Sequence, residues 1–170
     1  MIRVLKYLWL RFVMLTTGWL PDFTPVLQFR GFLARPAFKK CGRNFQLASG
    51  TIINWSSNIS IGHNVFIGNN CWIQGVGQVD LEDETMFGPF TVLASNEHTK
   101  ENGSYRFGHH IRGKITIGRG SWTGAHVVIT AGVNIGKGSA IGAGAVVVKD
   151  VPDNCVVGGV PAVTIEKKNK

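Results

Sequence analysis

Histidine is the side chain best suited to move a proton near neutral pH, and this chain has five. Three of them, His98, His109 and His110, fall in one polar stretch, NEHTKENGSYRFGHHIRGK, residues 96–114. His98 follows directly on the apolar residues before it and can be held rigidly, whereas His109 and His110 sit beside Gly108, further out. An imidazole held in place is suited to general-base chemistry; the plain alternative for any one of them is a solvated loop side chain. His63 and His126 lie in strongly patterned sequence, where a structural role is the default. Asp80, Glu82, Asp83 and Glu84 gather four carboxylates. Paired carboxylates can do acid–base work, but a charged surface corner accounts for them more simply.

What must position these groups is a rhythm. From Lys114 to Val151, Ile117, Thr123, Ile129, Ile135, Ile141 and Val147 recur every six residues, with Gly118, Gly124, Gly136 and Gly142 following four of them. Ser121, Val127, Val133, Ser139, Ala145 and Val151 come four places after each, all small or β-branched. Neither a helix nor a simple strand has this period. A fixed short repeat marks a solenoid, whose units bury apolar residues only by stacking on their neighbours. Ile61, Ile67, Ile73 and Val79 keep the same beat; after a slip of two residues, Leu81, Phe87 and Leu93 continue it. Three hexapeptides to a triangular turn give about five turns, interrupted by an irregular loop over residues 96–114. Long irregular loops in compact repeats are usually functional.

At 170 residues this is one domain with a terminal appendage, and its 22 glycines suit tight corners. The three cysteines share no metal-like spacing and fit a reducing cytoplasm. Eight Lys and Arg against Asp22 alone put most of the net charge of +8 in residues 1–43. A nucleic-acid-binding face on the nearly neutral coil is therefore not expected. The division expected is 1–46 as a basic lead-in, 47–165 as the coil, and 166–170 as a tail. Within the lead-in, Ile2, Leu5, Leu8, Trp9, Phe12, Val13 and Leu15 lie near one face of a helix ending near Gly18–Pro21. The longest uncharged run, Phe12 to Pro21, is too short to span a bilayer, and no cleavage site of a secretory signal follows it. Two readings of this helix stay open: a cap on the solenoid's end, or a peripheral helix on an anionic membrane with Trp9 and Trp19 at the interface.

With the repeats, the His98 loop and KITIGRGSWTGAHVVITAGVNIGKGSAIGAGAVVVKDVPDNCVVGGVPAVTI assembled, the chain resembles the hexapeptide-repeat acyltransferases. Its nearest likeness is to their maltose/galactoside, polysaccharide and xenobiotic O-acetyltransferases. The resemblance spans roughly residues 58–165 and implies a left-handed parallel β-helix; sheet-crossover rules alone would point to the opposite hand. It also implies a homotrimer, with acetyl-CoA in a groove between coils and the acceptor beside the loop. By the same resemblance His98, in ASNEH, matches the catalytic histidine. Trp122 in SWTGA, Ala125, Ala143 and the pair Val148–Lys149 match positions along the CoA chain. Two matches fail. The family's late arginine falls on Glu166, leaving Lys167 or Lys168 to meet the nucleotide phosphate, and its sugar-binding asparagine falls on Gly68, with Asn70 two away. Some hexapeptide solenoids are zinc enzymes with two loop histidines five apart, but residues 103, 114 and 115 here are Gly, Lys and Ile, so no metal is expected.

The expectation is then an acetyl-CoA-dependent O-acetyltransferase for a saccharide hydroxyl, in surface polysaccharide synthesis. It would work in the cytoplasm, with a peripheral membrane contact through residues 1–20. The alternatives are N-acetylation of an antibiotic or amino sugar, and a trimeric scaffold without catalysis.

Overall fold

The computed structural model describes residues 1–165. Two helices, α1 (Ile2–Thr17) and α2 (Thr24–Ala34), precede a solenoid of very short strands. The first turn holds β1 (Lys40–Cys41), β2 (Gln46–Leu47) and β3 (Ile52–Asn54). The second holds β4 (Ile59–Ile61), β5 (Phe66–Ile67) and β6 (Trp72–Gln74), and the third β7 (Val79–Leu81), β8 (Met86–Phe87) and β9 (Val92–Ala94). A hairpin of β10 (Asn96–His98) and β11 (His110–Arg112) leaves the coil there. The fourth turn is β12 (Ile115–Ile117), β13 (Trp122–Thr123) and β14 (Val128–Ile129); the fifth is β15 (Asn134–Ile135), β16 (Ala140–Ile141) and β17 (Val146–Val147). A partial sixth turn ends in β18 (Val156–Gly158) and β19 (Val163–Thr164).

Each turn adds one strand to each of three parallel sheets, ordered β1-β4-β7-β12-β15, β2-β5-β8-β13-β16-β18 and β3-β6-β9-β14-β17, so the chain forms a left-handed β-helix of about six turns. The count exceeds the expected five because the coil already begins at β1, upstream of residue 47. That first turn carries its inward residues without the Ile-Gly signature of the later ones.

The beat follows from packing. The side chains six apart point into the triangular core, and Ile67, Leu93, Ile129 and Ile141 are all 0% exposed. The small residues two places before them are buried too, because each lies against a corner. Neighbouring turns are locked by backbone bonds such as Gly118 N–H to Ile135 O at 2.8 Å and Gly136 N–H to Val151 O at 2.7 Å. Thr123, the one polar member of the downstream series, is satisfied by Gly88 N–H and by the Thr91 hydroxyl at 3.0 Å. The two-residue slip sits in the corner between β6 and β7, where Gly77 donates to Ser95 Oγ at 2.9 Å and a Cβ would meet Ser95 O at 2.1 Å.

The corners are a ladder of left-handed residues. Asn44, Asn64, Glu84, Gly120, Gly138 and Asn154 all have φ between 54° and 69° at the corner leading into the second sheet. Gly50, Asn70, Phe90, His126 and Gly144, with φ between 55° and 73°, hold the next corner. Gly and Asn tolerate this region; Glu84, Phe90 and His126 pay for it.

The lead-in holds two helices where one was expected. Arg30 of α2 is fully buried, and its guanidinium donates to Asp22 at 2.6 Å, to Leu47 O at 2.8 Å and to Thr17 O at 2.9 Å. Asp22 in turn accepts from Ser49 Oγ at 2.6 Å and from Asn69. This one cluster ties α1, α2 and the first two turns together. α1 rests on the rest of the protein through Leu10, Val13 and Thr17. Leu5, Leu8, Trp9, Phe12 and Leu15 remain exposed, so most of the expected apolar face looks outward.

Candidate functional site

The stretch 96–114 is an antiparallel hairpin rather than an irregular loop. Asn96, Glu97 and His98 pair with Arg112, Ile111 and His110. Thr99 extends the ladder by donating its N–H to His109 O at 2.9 Å. A Cβ at Gly108 would lie 1.7 Å from Thr99 O, so this close approach requires glycine. The tip turns at Asn102 and Gly103, both with positive φ, between Glu101 and Ser104, which exchange backbone hydrogen bonds at 2.9 Å. Asn-Gly is the signature of a tight hairpin turn, and it stands in the sequence as a signal the period-based reading passed over.

His98 is exposed at the end of β10, and its ring lies 4.4 Å from that of His110, tilted by 59°. Glu97, which precedes it on the strand, is exposed and paired to Ile111. His109 points elsewhere, with Nε2 4.0 Å from a Glu101 carboxylate oxygen. The carboxylate cluster is engaged structurally. Asp80 pairs with Lys114 at 2.6 Å, Glu84 with Arg119 at 2.8 Å, Asp83 accepts from His63 N–H, and Glu82 from Arg119 N–H. Burial would raise the Asp80 pKa, but hydrogen bonds from Lys114 and Ser60 outweigh it and hold it below the usual value.

The residues matched to the CoA chain divide between two edges of one sheet. Trp122 on β13 faces outward, 48% exposed, between Met86 of β8 and Ala140 of β16. Ala125 and Ala143 occupy the corner after that sheet, one turn apart, with Gly144 N–H donating to Ala125 O at 2.8 Å. A Cβ at Gly124 would lie 2.7 Å from Ala143 N, so the two turns meet there without a side chain between them. Val148 and Lys149 lie exposed at the following corner, after β17, the side from which the His98 hairpin also departs after β9. One chain thus separates His98 from Trp122 by the width of the sheet containing β9, β14 and β17. Lys167 lies outside the described residues.

Spacing did not reveal the surroundings of the Trp122 edge. Phe90 and His126, both left-handed, stack with parallel rings 4.7 Å apart beside Ala125, and Met86 is 49% exposed next to Trp122. Nor did it reveal a cavity of about 480 Å³ between the start of α1 and the coil, lined by Arg3, Tyr7, Asn54, Trp55, Ser56 and Gln74 among others. The Arg3 guanidinium lies 5.7 Å from the Trp55 ring centre, and Gln74 Oε1 is buried with no partner among the described residues. The cavity adjoins the foot of the hairpin, since Gln74 pairs with Ala94 and its carbonyl accepts from Ser95 Oγ.

Comparison with known proteins agrees with this architecture. The family model described as the hexapeptide repeat of succinyl-transferase matches residues 58–88 and 114–149. The chain is 35% identical over 140 residues to the galactoside O-acetyltransferase of Escherichia coli (strain K12), covering 82% of this chain and 69% of that protein. Other galactoside and staphylococcal relatives run longer, the chain spanning 55% of their length. A galactoside acetyltransferase in complex with coenzyme A superposes with a TM-score of 0.83 at 31% identity, over 98% of this chain and 82% of that one. The maltose O-acetyltransferase from Clostridium difficile 630 gives 0.83 at 26% identity, over 99% and 89%. The chain belongs to the hexapeptide-repeat acetyltransferases. Within them it is an acetyl-CoA-dependent acyltransferase, with acetyl-CoA as its co-substrate.

Proposed function

We propose that the enzyme transfers the acetyl group of acetyl-CoA to a saccharide hydroxyl, with His98 as the general base. The observation that carries this reading is the position of His98 on a backbone-paired strand that continues directly from a coil strand. The E. coli relative's name, galactoside O-acetyltransferase, supports an oxygen acceptor on a sugar. His98 takes the hydroxyl proton as that oxygen attacks the thioester carbonyl. The tetrahedral adduct collapses with loss of the CoA thiolate, which the histidine reprotonates. A base of this kind contributes about 10²–10⁴ in rate, and holding both substrates in line supplies much of the rest.

The CoA chain lies along Trp122, Ala125 and Ala143, where small corners open the backbone to it, and Val148 and Lys149 meet it from the other corner. Because one chain holds His98 and Trp122 on opposite edges of a sheet, the working unit is a homotrimer in which neighbouring coils complete each site. The cavity walled by Arg3, Trp55 and Gln74 receives the acceptor, its aromatic face against a sugar ring and its polar groups toward hydroxyls. Acetyl-CoA is a cytoplasmic thioester, and the enzyme works there on a surface-polysaccharide precursor, with residues 1–20 touching the membrane face.

The test is a panel of sugars with acetyl-CoA, reading released thiol, beside the mass of the assembly. Acetylated alcohols, and a mass about three times the 18.5 kDa chain, are expected. Acetylation of an amino sugar and not of its matching alcohol would replace the reading with N-acetyl transfer. Absence of both turnover and a CoA-induced rise in melting temperature would leave a scaffold.

A further inference from the structure

The outward face of the two helices is unlike the rest of the surface. On α1, Leu5, Leu8, Trp9, Phe12 and Leu15 are 59%, 55%, 41%, 55% and 80% exposed, and Trp19, just past its end, is 78% exposed. On α2, Phe29 and Phe32 are 50% and 63% exposed. The two sets join: Trp9 donates its indole N–H to Leu33 O at 2.8 Å, and Trp9, Phe32, Leu33, Arg35 and Pro36 line one groove. A contiguous apolar surface of this kind marks an interaction site.

The segment that carries this face is cationic. Arg3, Lys6, Arg11, Arg35, Lys39, Lys40 and Arg43 belong to the same segment, whose only acid, Asp22, is consumed by Arg30, Ser49 and Asn69. A second copy seated on this face would bring like charges together. An anionic phospholipid bilayer complements both properties: cations meet head groups, tryptophans the interface, and leucine and phenylalanine the upper acyl region. No described helix is long and apolar enough to cross a membrane, so the contact is one of lying on the surface.

We propose that α1 and α2 together form a docking surface for an anionic phospholipid bilayer. This deepens the placement of the enzyme at a membrane face and rests on that placement, but not on the identity of the acceptor. Lys6 is bound to Phe38 O at 2.8 Å, Arg35 donates to Cys41 O at 3.3 Å and Arg3 leans on Trp55, so Arg11, exposed beside Leu15, is the cation that borders the apolar strip itself.

The experiment is co-sedimentation of the full chain with phosphatidylcholine vesicles and with the same vesicles made anionic by phosphatidylglycerol. Binding to the anionic vesicles alone, weakened on the order of tenfold by a several-fold rise in salt, is the expected result. Leu8→Ser with Phe12→Ser alters two exposed side chains and is expected to cut binding by roughly tenfold or more, with melting temperature and CoA response unchanged. Arg11→Glu, also exposed, is a second handle should the double variant fold poorly. Equal binding to neutral vesicles, no binding to anionic ones, or variants that bind like wild type would overturn the proposal. A change in assembled mass on Leu8→Ser/Phe12→Ser would overturn it too, by assigning the face to contacts between copies. Failure of wild-type CoA binding would sink the enzymatic reading and leave the vesicle result standing.

Discussion

The His98 and His110 rings face each other across a register pair of the hairpin, 4.4 Å between centres. His98→Ala is expected to lower acetyl transfer at least about a hundredfold while the CoA-induced thermal shift persists. With His98 as the base, His110 is expected to act through it, as a positioning residue. His110→Ala should cost less than His98→Ala and leave the KM for acetyl-CoA unchanged, and His110→Phe, which keeps a ring against His98, should restore most of the loss. An unchanged rate in His98→Ala would remove it from the base role.

Trp122 stands half-exposed between Met86 and Ala140, so its removal leaves no cavity in the core. Trp122→Ala should raise the KM for acetyl-CoA by roughly tenfold through lost contact area, with the melting temperature nearly unchanged. A stability loss without a KM effect would mean that the ring serves packing alone.

The buried guanidinium of Arg30 holds helices and coil together. Arg30→Met leaves Asp22 without its cation and should cost about 3–5 kcal/mol, read by denaturant melts. Adding Asp22→Asn should recover part of it, because the two residues act as a pair.

Asp22 also sets an acid limit. Burial would raise its pKa, but hydrogen bonds from Ser49, Arg30 and Asn69 hold it below the ordinary 3.8. A carboxylate depressed in the folded state stabilises fully above its unfolded pKa and ceases to as pH falls through the lower folded value. Stability should therefore be flat near neutrality and fall below about pH 4. Asp22→Asn should make the acid limb shallower.

Ile129 is fully buried in the fourth turn, beneath Leu93 and above Val147. Ile129→Ala should cost about 2–5 kcal/mol in a denaturant melt. A smaller loss would mean that the stack closes over the gap.

The coil itself was legible because its determinant is local and repeated: a buried side chain every sixth residue leaves a mark that any one turn would not. The slip read after Val79 was legible as an interruption, and the structure puts it just upstream, between β6 and β7, where Gly77 is tucked under Ser95. The first turn was less so, since its inward residues Cys41, Leu47 and Ile53 do not repeat the Ile-Gly pair, although Gly42 follows β1. The hairpin went unread because its strands, Asn-Glu-His and His-Ile-Arg, are only three residues each, too short for alternation to register. Its pairing is carried by backbone bonds and by Asn102–Gly103.

What the sequence by itself determined is the period, the corners, and a histidine at the exit of a coil, all properties of residues near one another in the chain. Tertiary structure decided the rest. It set His98 and Trp122 on opposite edges of one sheet, joined Phe90 to His126 across a turn, and built a cavity from Arg3 and Gln74, which lie far apart in the chain. It also decided which side of α1 is buried. The helix is apolar around much of its circumference, and only the fit of Leu10, Val13 and Thr17 against the protein selects the inner face. The remaining apolar side chains are then turned outward, an outcome fixed by three-dimensional packing rather than by helical periodicity.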